Sequence, residues 1–150
     1  MSCGASNNNN QYAKSCVRYY NNSTQALTAN GSTLLTLAGA KVVNSGVSIE
    51  AEPQSYTIVK PGLYHIAADV TVEATTAGAV TLTWYKDGVA LPCTETKQYI
   101  SATHAGSIHA ETDLRFCGCC QSHSFTLVAT TDDAITGNVT HVCSGIVKLA

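Results

Sequence analysis

The sequence predicts an all-β fold, an antiparallel sandwich or barrel preceded by an extended N-terminal arm. Three observations carry that expectation. Thr and Val dominate from Ser32 onward, and both suit the pleated, half-buried surface of a strand. Apolar and polar residues alternate in one short stretch after another, with Gly, Pro and Asp between them. No stretch of helical length carries an apolar stripe at helical spacing.

Taken in order, residues 1–31 stand apart. They are rich in Asn, Ser and Tyr, include the run Asn7 to Asn10, and lack apolar periodicity. Such a segment is expected to be an anchoring arm that docks on a neighbouring subunit or a larger scaffold. Tyr12, Cys16, Val17, Tyr19 and Tyr20 would supply its contacts. An arm folded back on its own domain is the open alternative. The strand-built domain, the jelly roll of the resemblance given below, is expected over residues 32–150. Leu35 and Leu37 alternate with Thr36 and Ala38, and Val47 and Ile49 with Ser48 and Glu50. Tyr56 and Ile58 lead into the turn Lys60-Pro61-Gly62. Tyr64, Ile66, Ala68, Val70 and Val72 then form the apolar, buried face of a strand, and Leu63, His65, Ala67, Asp69 and Thr71 its other face. Val80, Leu82 and Trp84 alternate with Thr81, Thr83 and Tyr85. Asp87-Gly88 is a hairpin signal, because Gly takes a positive φ without steric cost. A return strand from Val89 and further strands over 98–101, 107–116, 122–130 and 141–149 complete the set.

Composition narrows the function. At 150 residues the chain has the size of one ordinary domain, and its 45% hydrophobic share is enough for a packed core. Only 12% of residues are charged and the net charge is −2, which gives no electrostatic case for nucleic acid. No apolar run approaches the length needed to cross a bilayer. The first residues show no basic and then apolar pattern of a secretory signal, so synthesis in a cytoplasm is expected. So thinly charged a surface keeps a free monomer in solution poorly, and implies that much of it faces protein.

Seven cysteines are present, an odd number that cannot all pair within one chain. Cys117, Cys119, Cys120 and His123, with Cys143 beyond, form the most metal-like cluster. However, a C-x-C-C is not the paired knuckle of a structural zinc site. The expectation is buried thiols or disulfides, with no metal and no cofactor. His104, His109, Glu111 and Asp113 resemble a general acid–base set, and His65 and Asp69 share another strand face. No nucleophile elbow, phosphate loop or zinc-protease motif accompanies them, so solvated strand faces and no enzyme are expected. In an oligomer the same row would be placed to bind an ion.

Three segments together resemble the tumour-necrosis-factor-like jelly roll, the fold of complement heads and of many phage structural and bacterial spore-surface proteins. They are Tyr56-Thr-Ile-Val-Lys-Pro-Gly-Leu-Tyr-His-Ile66, Val80-Thr-Leu-Thr-Trp-Tyr-Lys-Asp-Gly-Val89 and the closing strand Gly145-Ile-Val-Lys-Leu-Ala150. The stretch Cys117-Gly-Cys-Cys-Gln-Ser122 departs from the pattern, and no Gly-x-y repeats precede the domain. The resemblance implies a homotrimer. Tyr64, Trp84, Tyr85, Tyr99 and Phe116 fit that implication as core and trimer-interface aromatics, since so small a sandwich cannot hide them all. The expected function is therefore a non-enzymatic virion component: a capsid decoration protein or short head fibre, bound to the major capsid protein through its arm. The alternatives are a spore-surface structural protein cross-linked through its cysteines, and a receptor- or glycan-binding head.

Overall fold

A computed structural model describes residues 15–116, 122–132 and 135–150. The strands are β1 (Cys16–Asn21), β2 (Gln25–Ala26), β3 (Ser32–Leu34), β4 (Ala40–Ser45), β5 (Ile49–Glu52), β6 (Ser55–Ile58), β7 (Gly62–Thr76), β8 (Gly78–Lys86), β9 (Val89–Ala90), β10 (Thr96–Ile100), β11 (Ala105–Phe116), β12 (His123–Thr131) and β13 (Thr136–Lys148). One 3-10 turn, Pro92–Thr94, joins β9 to β10. The first sheet runs β11-β7-β13-β1-β4, with β2 added to β13. The second runs β10-β8-β12-β6-β5, with β3 added to β12 and β9 to β8. The chain crosses repeatedly between the two sheets, and all their pairings are antiparallel. This is the expected jelly-roll sandwich.

The inner faces follow the two-residue period. In β7, Tyr64, Ile66, Ala68, Val70 and Val72 are buried, and they meet Val80, Leu82 and Trp84 of β8 and Phe125 and Leu127 of β12. Each large side chain so enclosed contributes roughly 1.5–3 kcal/mol of burial free energy. Two polar links tie the sheets across this core. The Trp84 Nε1–H donates to the Ala110 carbonyl at 3.1 Å, and the Tyr56 hydroxyl lies 2.7 Å from the Ser144 hydroxyl. At the β8–β9 hairpin, Asp87 (φ 51°) and Gly88 (φ 82°) both take the left-handed conformation that a primed turn demands.

The aromatic set divides. Tyr64, Trp84 and Phe116 are core residues, Tyr85 is half-buried, and Tyr99 on the edge strand β10 is 64% exposed. Leu35 and Leu37 are buried as expected, but they follow β3 in irregular chain.

The N-terminal boundary requires correction. An arm ending at residue 31 was expected, yet β1 lies between β13 and β4 inside the first sheet. Cys16 and Val17 are buried there, and Tyr19 packs half-buried against the core. Cys16 and Val17 are therefore part of their own domain, while Tyr20 of the same strand is 37% exposed. The reason is local: Val-Arg-Tyr-Tyr is β-branched and aromatic, and the vacant edges of β13 and β4 pair its backbone. Ser15 closes the join, its hydroxyl accepting the Ser48 N–H at 2.9 Å. Tyr12 lies outside the described residues.

Candidate functional site

The chemistry-bearing side chains gather on the outward face of the first sheet. There β11 and β7 pair so that His109 stands opposite Asp69, Glu111 opposite Ala67, and Asp113 opposite His65. The alternation that turns Tyr64 and Ile66 inward turns His65, Ala67 and Asp69 outward. The result is a continuous ladder. His65 Nδ1 is 2.6 Å from Asp113 Oδ1, and its Nε2 is 3.1 Å from Glu111 Oε2. His109 Nδ1 is 2.7 Å from Asp69 Oδ1, and its Nε2 is 3.3 Å from the same Glu111 oxygen. The hydrogen bond that His109 donates to Asp69 holds its pKa above the ordinary value, against the opposing effect of burial and with help from Glu111.

The sequence separated this set into two faces, and the register makes them one. His104 does not join it. It sits in the turn before β11, its Nδ1 2.9 Å from the Ala102 carbonyl oxygen. Among the described residues no three His, Cys, Asp or Glu side chains are grouped to hold a metal ion.

Beside the ladder lies a trough of about 250 Å³. Ala67 and Gly145 line it between one wall with His65 and Asp69 and another with Arg18. Cys143 lines it as well, and is a free thiol. Neither Arg18 nor the small residues Ala67 and Gly145 stood out in the sequence. Only the pairing of β7, β13 and β1 places them in one row.

Of the Cys/His cluster, only His123 and Cys143 fall among the described residues. Cys117, Cys119 and Cys120 lie outside the described residues. His123 belongs to β12 of the second sheet and Cys143 to β13 of the first. His123 is committed elsewhere, its Nδ1 2.8 Å from Asp87 Oδ2 and its ring stacked on Phe116 at 4.8 Å. Asp87 Oδ1 also accepts the Ser124 N–H at 2.8 Å. Burial pushes the Asp87 carboxyl up, but Ser124, His123 and Lys86 outweigh it and leave its pKa below the ordinary carboxylate value. In β1, Cys16 is disulfide-bonded, and Tyr20 stacks on His141 at 6.3 Å.

Comparison with solved structures then fixes the fold. Murine APRIL at pH 8.0 superposes with a TM-score of 0.66 at 15% identity, over 91% of this chain and 99% of that one. The globular domain of zebrafish complement 1qA gives 0.63 at 12% identity, over 89% and 96%. The PRD1 vertex protein P5 gives 0.60 at 18% identity, over 91% and 96%. The fold is a tumour-necrosis-factor-like jelly roll. No family model matches the sequence, and no curated protein matches it. In this jelly roll the ladder and the trough occupy one broad sheet face, and the Asp87–Gly88 hairpin and Tyr99 lie on the other sheet.

Proposed function

We propose that the chain is a non-enzymatic structural protein of a phage virion, a capsid decoration protein or short head fibre, working as a homotrimer. The observation that carries this is the match of nearly the whole chain to the PRD1 vertex protein P5, whose name calls it a vertex protein. A chain with only 12% charged residues supports it, because threefold self-association removes much of its thinly charged surface from water. The anchoring role contracts to residues 1–14, ahead of β1, with the major capsid protein as the partner. Binding only to the assembled shell would stabilise that shell by mass action.

Deletion of residues 1–14 tests the proposal. The shortened chain should remain a soluble trimer and lose binding to capsids. Retained capsid binding, or a monomer in dilute solution before the deletion, rules it out. One observation favours a second reading. Cys93 is an exposed free thiol, available for cross-linking in a spore-surface layer. That reading expects multimers on gels that disappear under reducing agent and in Cys93→Ser.

A further inference from the structure

The ladder on the first sheet holds protons in a way its geometry dictates. Both nitrogens of His65, and both of His109, face carboxylate oxygens. A neutral imidazole has one N–H, so it meets only one such acceptor; the imidazolium has two and meets both. No Lys or Arg is ion-paired with Asp69, Glu111 or Asp113 among the described residues. The two imidazoles are thus the ladder's own counter-charges. With both protonated, the three carboxylates leave one net negative charge, and with both neutral they leave three.

The surroundings set what that change does. Farther along the same face, Glu73 of β7 and Arg115 of β11 stand at opposite ends of the ladder, too far apart to pair with one another. On β13, Cys143 is a thiol, and His141 is engaged with Asn22 at 2.5 Å. Across the trough, β1 presents Tyr20 and a single cation, Arg18. One half of the face is therefore acidic, and across the trough β1 presents a positive charge. In a cyclic assembly the acidic half of one copy can meet the Arg18 half of the next. The protonated ladder matches that single guanidinium. The deprotonated ladder brings two uncompensated negative charges into each contact, and uncompensated charge at an interface is strongly unfavourable.

We propose that this ladder is a proton-operated latch on self-association, seating a second copy of the chain on this face in mildly acidic solution and releasing it as the solution turns alkaline. The latch rests on the homotrimer proposed above.

Sedimentation velocity over a dilution series tests it, from about pH 5 to about pH 8, the range over which imidazoles change charge. The buffers contain chelator, which removes stray metal as a cause. The dissociation constant should rise by about tenfold or more across that range. His65→Gln with His109→Gln should associate weakly at both ends, with an unchanged far-ultraviolet circular dichroism spectrum. Asp69→Asn with Glu111→Gln, which removes two of the three negative charges, should stay associated in alkali. Trimers of equal affinity at every pH overturn the latch and leave the trimer standing. So does a histidine double variant that keeps the acid-side affinity. A monomer at every pH overturns both.

Discussion

Tyr56 encloses its ring completely between the sheets, yet ends in a hydroxyl that lies 2.7 Å from the Ser144 hydroxyl. Burial pushes its pKa up to about 12, with the Ser144 hydrogen bond pulling the other way. The folded chain therefore keeps the phenol proton where the unfolded chain, titrating near 10.0, has released it. The stability linked to this proton is complete below the unfolded value and is lost as pH rises from there toward the folded one. Tyr56→Phe should move the alkaline unfolding midpoint upward, read by circular dichroism alongside phenolate absorbance. At neutral pH the same change should cost about 1–2 kcal/mol, because Ser144 loses a partner. Beside it, Trp84 is fully enclosed and bridges the sheets through its indole N–H to Ala110. Trp84→Ala should cost about 3–5 kcal/mol in a urea titration, the range for emptying an aromatic site in a core.

At the scale of the strand, β1 decides what truncation does. Removing residues 1–31 strips the strand between β13 and β4, so that variant should lose cooperative melting. Gly145 shows how closely β1 is held. A Cβ there would stand 2.5 Å from the Val17 carbonyl oxygen, so Gly145→Ala must shift backbone. It should cost about 1–3 kcal/mol, with faster hydrogen exchange over residues 16–21. This strand also marks where the sequence stopped being legible. The inner face of β7 and the Asp87–Gly88 hairpin were readable because a period of two and a turn dipeptide are local signals. In contrast, β1 is short, follows an Asn-rich run, and pairs with a strand at the far end of the chain, as in Cys16 with Val147. Nothing within its six residues names that partner. The ladder has the same history. His109, Glu111 and Asp113 could be placed on one face, but their union with His65 and Asp69 depends on the β7–β11 register, which is set by the chain between them. Tyr99 and Tyr85 could not be separated from the core aromatics by composition, since an edge position is a property of the assembled sheet.

Over the whole molecule, two exposed ion-paired groups give the stability curve opposite slopes. The folded His109 pKa lies above its unfolded value of 6.5, so its contribution is complete below 6.5 and is lost as pH rises through the folded value. The folded Asp87 pKa lies below its unfolded value of 3.8, so its contribution is complete above 3.8 and is lost as pH falls through the folded value. Both are complete together only between 3.8 and 6.5, which places the stability maximum on the acid side of neutrality. Thermal melts across pH should show that maximum, and moderate salt should flatten it, because both pairs are open to solvent and screened. His109→Gln should remove the decline on the neutral side and leave the acid limb in place. Asp87→Asn, which keeps a side chain tolerant of the positive φ at the turn, should do the reverse. A curve that is flat from acid to neutral in the parent chain would break the link between the ladder and folding. Measuring the melts over a range of protein concentrations then separates this intrachain effect from self-association, since only the latter makes the midpoint depend on concentration.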